Sequence, residues 1–194
     1  DKDRIEIIVE GELNFQSGNA VGGPPSSNTL LGANTSSPGE WYGIRIQDGG
    51  SLTMNDVELA NAEVGVSIHS GRVRGTILNS TIKKTRQYAV NGCPDSFSDN
   101  QIMECGHDGQ TAAVRIDGCF KDYNYVDNTL TKNYAGVQTG SNSGSPISLS
   151  DWTIDESTTY GIEHTGSVAA LNIYGGTITN SGLGIYLASQ GSIT

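Results

Sequence analysis

Nine titratable side chains crowd one stretch of this sequence: Asp95, Asp99, Glu104, His107, Asp108, Arg115, Asp117, Lys121 and Asp122. Carboxylates at this density can work in pairs on a sugar polymer, one as general acid and the other as base or nucleophile, once a fold sets their separation. They can also gather calcium, a hard cation that prefers oxygen ligands, beside an arginine or lysine base. On either chemistry the candidate catalytic residues are Asp95, Asp99, His107, Asp108, Arg115 and Asp117. The competing reading is a solvated charged surface. His69 and His164 stand apart, each near a turn, and read as isolated surface or turn residues. No Cys-x-x-Cys or mixed Cys/His spacing suggests zinc, and no metal other than calcium is expected.

Composition narrows the partners. A formal net charge of -10 argues against binding a phosphate backbone, so no nucleic acid is expected. No apolar run approaches the ~18 residues of a membrane span. Twenty-six glycines, with Ser, Thr and Asn spread along the chain, punctuate short aliphatic runs, which is the pattern of many short strands joined by turns.

Those strands repeat. A small residue followed by an aliphatic returns at Gly43-Ile44, Gly65-Val66, Ala89-Val90, Ala113-Val114, Gly136-Val137, Gly161-Ile162 and Gly184-Ile185, at steps of 22, 24, 24, 23, 25 and 23 residues. A second register runs through Leu59, Ile82, Ile102, Leu130, Ile154 and Ile178. Turn-formers precede each of these, and a small or polar residue follows three positions later. No stretch sustains helical periodicity. A leucine-rich repeat would need its Leu-rich consensus, and a β-sandwich would not keep column identities fixed. A unit of about 23 residues that cannot bury its own inner face must stack, so the pattern predicts a parallel β-helix of about seven rungs. The small column predicts a crowded bend or close backbone approach.

The stretch "EWYGIRIQDGGSLTMNDVELANA" (40–62), preceded by "IEIIVEGELNFQSG" (5–18), resembles the repeats of right-handed parallel β-helix proteins of the pectate-lyase-like class, and is similar to bacterial secreted and cell-surface members. The resemblance covers essentially the whole chain. It implies an all-β, right-handed solenoid over 1–194, with a long surface loop at 17–40 and regular rungs over 41–194. Leu30-Leu31, inside the loop, reads as a short strand. The family's hydrolases carry Gly-His-Gly and Arg-Ile-Lys steps. Here Gly106-His107-Asp108 and Arg115-Ile116-Asp117 depart from both, and Asn-Thr-Asp and Asp-Asp steps are missing. The expected function is therefore a non-catalytic structural or adhesive module of a larger extracellular or cell-surface protein that contacts glycans. The alternative is a polysaccharide lyase or glycoside hydrolase acting through the acidic stretch.

Stacking places the remaining candidates. Cys93 and Cys119 occupy matching contexts, Val90-Asn91-Gly92-Cys93 and Ile116-Asp117-Gly118-Cys119, on what would be adjacent rungs. They form either a disulfide or two stacked free thiols. Cys105 falls in the interior small column and reads as a buried thiol. Tyr42, Tyr88 and Tyr160 lie two residues before an inward aliphatic, so alternation puts them on the core side. Tyr123, Tyr125 and Tyr186 are the expected exposed, glycan-stacking rings. The last residues, "GLGIYLASQGSIT", repeat a phrase used at 41–53 without its second half. That predicts either further coil or a capping chain against the final rung.

Overall fold

A computed structural model describes residues 5–16, 29–32, 37–68, 74–140, 146–165 and 170–187. Most of the loop at 17–40, along with His69 and the terminal residues 188–194, lies outside these. The chain visits three parallel sheets in rotation, so every third strand stacks on its predecessor. The first sheet holds Glu6–Val9, Gly43–Ile46, Val66–Ile68, Val90–Asn91, Val114–Ile116, Val137–Thr139, Tyr160–His164 and Leu183–Leu187. The second holds Glu12–Gln16, Ser51–Asn55, Arg74–Leu78, Ser96–Ser98, Tyr123–Val126, Ile147–Ser150 and Leu171–Tyr174. The third holds Thr29–Gly32, which contains Leu30 and Leu31, then Val57–Ala60, Thr81–Lys83, Gln101–Met103, Thr129–Thr131, Thr153–Asp155 and Thr177–Thr179. The protein is a parallel β-helix, with no helix among the described residues.

Register follows the two columns read from the sequence. In the first sheet Ile44 pairs with Val66, Val66 with Val90, Val90 with Val114, Val114 with Val137, Val137 with Ile162 and Ile162 with Ile185. In the third, Leu59, Ile82, Ile102, Leu130, Ile154 and Ile178 stack in one line. Except for Ile178 and Ile185, nearest the end of the described coil, these side chains are buried and fill the interior. Aliphatics recur there because a turn of this coil has only one dry side, and burying it is the main drive to stack.

The small column has a steric cause. A methyl group added at Gly65 would meet the carbonyl oxygen of Ala89, and one at Gly136 the carbonyl oxygen of Gly161. The next turn of backbone passes over these positions, so a larger side chain has nowhere to go.

Two corners of the coil are held by repeated chemistry. Between the second and third sheets, Asp56, Asn79, Asp99, Asp127 and Asp151 all adopt left-handed backbone with φ between 49° and 60°. Asp and Asn tolerate that region better than most residues. Their buried neighbours Ser80, Asn100 and Asn128 form a ladder inside the corner. The Ser80 amide donates to Asn100 Oδ1 at 3.0 Å, and the Asn100 amide to Asn128 Oδ1 at 3.2 Å. Trp152 takes the next place, donating its indole N–H to the Tyr125 carbonyl at 2.9 Å. At the corner after the third sheet, Lys84, Glu104, Lys132 and Glu156 share the left-handed conformation. Their charges alternate along the stack, and Lys84 pairs with Glu104 at 3.8 Å.

Candidate functional site

The acidic stretch does not assemble into one site. A turn of this coil spans about as many residues as the stretch itself, so its members are dealt out around the perimeter. Asp99 is a left-handed corner residue whose amide donates to the Val126 carbonyl at 3.2 Å. His107 and Asp108 lie in a loop at a different corner, tied to the preceding turn by amide bonds to the Thr85 and Arg86 carbonyls. Asp108 Oδ1 accepts from the Gln110 amide at 3.0 Å, the Thr111 amide at 3.1 Å and the Thr111 hydroxyl at 2.9 Å, which makes it the clasp of its own loop. Arg115, on a first-sheet strand, and Asp117, just after it, remain together, while Asp95 lies at the corner between the first and second sheets on the preceding turn. Each is already engaged: Arg115 Nη2 meets Asp117 Oδ2 at 2.7 Å, and Lys121 Nζ meets Asp95 Oδ1 at 2.5 Å. Among the described residues no group of three or more His, Cys, Asp and Glu side chains is placed to hold a metal ion.

Two of the three aromatic candidates are corrected. Tyr123 and Tyr125 are 4% and 0% exposed. Their strand pairs Tyr123 with Ile147 and Tyr125 with Leu149, which sets both rings on the interior column of the second sheet. Tyr125 meets Phe97 edge-on at 5.9 Å and donates its hydroxyl to the Pro94 carbonyl at 2.8 Å. Tyr186 is exposed on the last described strand of the first sheet. His164 is corrected too: it is buried, and its Nδ1 lies 2.7 Å from the Thr139 hydroxyl.

Cys93 and Cys119 form a disulfide between adjacent turns, with Cα atoms 5.7 Å apart. Closing a loop of that length is worth ~3 kcal/mol on the chain-entropy estimate. Cys105 is a buried free thiol, and burial pushes its pKa from 9.0 up to about 11. The folded state thus favours the neutral thiol, a contribution fully present below pH 9.0 and lost as pH rises toward about 11. Alkaline thermal melts are expected to lose ~2–3 kcal/mol less stability across that window in Cys105→Ala than in the native protein. Equal losses in the two proteins would refute the assignment.

The outward face of the first sheet carries one line of polar side chains. Each residue following the inward aliphatic points out, and register stacks Arg45, Ser67, Asn91, Arg115, Gln138, Glu163 and Tyr186 in one line along the axis. Neighbouring turns are ~4.8 Å apart. Arg45 pairs with Glu6 at 2.8 Å. Glu163 accepts from Gln138 Nε2 at 2.7 Å and from the Tyr160 hydroxyl. Burial, together with that bond and the Glu163 charge, raises the Tyr160 pKa. Tyr88 hydrogen-bonds Arg115, whose guanidinium lies 5.8 Å from the Tyr88 ring centre.

Tyr88 and Tyr160 are therefore half-buried shoulders of this face rather than core residues. Between them, Ala112 and Ala135 occupy the equivalent positions and are buried. The line is legible in the sequence, because each member directly follows the aliphatic column. Phe120 carries no column signal.

A family model describing right handed beta helix regions matches residues 19–194. No curated protein and no solved structure matches the chain.

Proposed function

This chain belongs to the right handed beta helix family, and on that premise we propose that it is a non-catalytic module of a secreted or cell-surface bacterial protein whose first-sheet face binds an extended glycan. The observation that carries the reading is the axial line of hydrogen-bonding side chains flanked by Tyr88 and Tyr160. A polymer lying along it meets a donor or acceptor at Asn91, Arg115, Gln138 and Glu163 on successive turns and an apolar ring at the shoulder. Charge selects the class. Arg45 and Arg115 are each neutralised by a carboxylate, and the chain as a whole is acidic, so a hydroxyl-rich neutral polymer suits the face better than a polyanion. The disulfide supports an oxidising, extracellular setting.

The test is a panel of neutral and acidic polysaccharides, with and without calcium, scored for retention and for new reducing ends or unsaturated uronates. Retention of a neutral glycan without cleavage is expected, weakened about tenfold, or ~1.4 kcal/mol, in the Tyr88→Ala, Gln138→Ala double variant. Cleavage would establish the enzyme reading instead, and retention of nothing would remove the glycan reading.

A further inference from the structure

Among the described residues, large exposed hydrophobics fall near the two ends of the described coil, with one exception: Phe120, 47% exposed on the side of the coil. Its loop has no freedom to hide the ring. Cys119, immediately before it, is bonded to Cys93 on the preceding turn, and Lys121, immediately after it, is bonded to Asp95 there. Phe120 stands edge-on against Tyr123 at 6.2 Å, and the Lys121 ammonium lies 5.9 Å from the Phe120 ring centre and 5.2 Å from that of Tyr123. The Tyr123 hydroxyl is buried with no hydrogen-bond partner, an unsatisfied donor and acceptor beneath this corner. Burial, with the Asp95 charge, pushes its pKa to about 12, so it stays a phenol at neutral pH.

We infer that Phe120, Lys121 and Asp95, backed by the buried Tyr123 ring, form a second sugar-binding site, separate from the first-sheet face, that takes a single neutral pyranose ring. An exposed aromatic ring offers a stacking surface for the apolar C–H face of a sugar. Beside it lie a carboxylate to accept from ring hydroxyls and an ammonium to donate to them. The ion pair is internally neutral, which favours a hydroxyl-bearing ligand over an anion. The two covalent and ionic pins preorganise the ring, so binding does not have to order the loop.

The inference shares the glycan class with the first-sheet reading but does not depend on it, and separate variants distinguish the two. Backbone-amide NMR of the full chain is recorded during titration with methyl β-glucoside, methyl β-galactoside and methyl α-mannoside. At least one sugar is expected to shift the amides of 118–123, and Phe120→Ala to abolish those shifts. Phe120→Trp should retain them, and the Tyr88→Ala, Gln138→Ala variant should leave them unchanged. Breaking the pin with Cys93→Ser, Cys119→Ser is expected to weaken binding about tenfold while the other amide shifts confirm that the coil is folded. Absence of shifts with all three sugars overturns the site. So do shifts that persist in Phe120→Ala, or self-association lost in Phe120→Ala without any sugar response, which would make the corner a protein contact.

Discussion

Gly136→Val will lower the thermal midpoint of the coil by roughly 6–12 °C, corresponding to ~3 kcal/mol. Gly136 has no room on its inner side: a Cβ there meets the Gly161 carbonyl of the next turn and comes within 3.0 Å of Ile154 Cγ2. The oxygen belongs to backbone and cannot rotate away. Two hydrogen bonds must therefore stretch together, Gly136 N–H to the Tyr160 carbonyl at 2.9 Å and Val114 N–H to the Gly136 carbonyl at 3.1 Å. Gly136→Ala should cost less, since Ala89 and Ala113 occupy the same column fully buried on other turns. The position lies well inside the coil, and each turn contacts only its neighbours, so the valine variant should also broaden the melt as the two arms lose cooperativity. Differential scanning calorimetry measures both effects. A midpoint within about 1 °C of native would show that turns can separate more freely than the packing allows.

Asn128→Ala is expected to cost ~3 kcal/mol, read as a lower urea midpoint at unchanged slope. Asn128 Oδ1 accepts from the Asn100 amide at 3.2 Å and from Asn100 Nδ2 at 3.0 Å, while its own Nδ2 donates to the Phe97 and Val126 carbonyls, each at 3.0 Å. Alanine removes all four bonds at a site with no exposed surface. The Asn100 backbone N–H is then stranded in a dry corner, which is costlier than never having placed a polar group there. Asn124→Ala is the control. Asn124 is exposed on a neighbouring strand, its one described side-chain bond is to the Ser150 hydroxyl, and its loss should fall within ~0.5 kcal/mol. Equal effects of the two substitutions would mean that the buried ladder contributes no more than a surface bond.

The Asn ladder also shows why part of the fold could be read in advance. After the first turn, where twelve residues separate Gln16 from Thr29, the connection from the second sheet to the third is short and nearly constant: one residue from Asn55 to Val57, then two from Leu78 to Thr81, Ser98 to Gln101, Val126 to Thr129, Ser150 to Thr153 and Tyr174 to Thr177. A constant connection keeps the phase, so turn-formers and the aliphatic after them recur visibly. The connection from the first sheet to the second varies, from two residues between Val9 and Glu12 to seven between Thr139 and Ile147. A variable connection shifts the second sheet against the first, but the constant step to the third keeps the two in phase: Met54, Ile77, Phe97, Tyr125, Leu149 and Ile173 each lie five residues before a third-sheet aliphatic, a column open to reading beside it.

That difference divides what each level of organisation determined. The sequence by itself determined the parallel coil, its period, the aliphatic interior of the first and third sheets, and the turn-forming corner before the third sheet, because each of these demands the same residue class at the same step on every turn. Only the tertiary structure decided that the residues five places before the third-sheet aliphatics form a separate sheet, with Tyr123 and Tyr125 turned inward on it, and that His164 is buried against Thr139. Stacking also chose the disulfide from the two states open to Cys93 and Cys119, and with it the pinned Phe120 corner. The acidic stretch failed as a single site for a related reason. On a coil, residues adjacent in sequence travel around the perimeter, and the side chains that meet across turns lie about one turn apart along the chain.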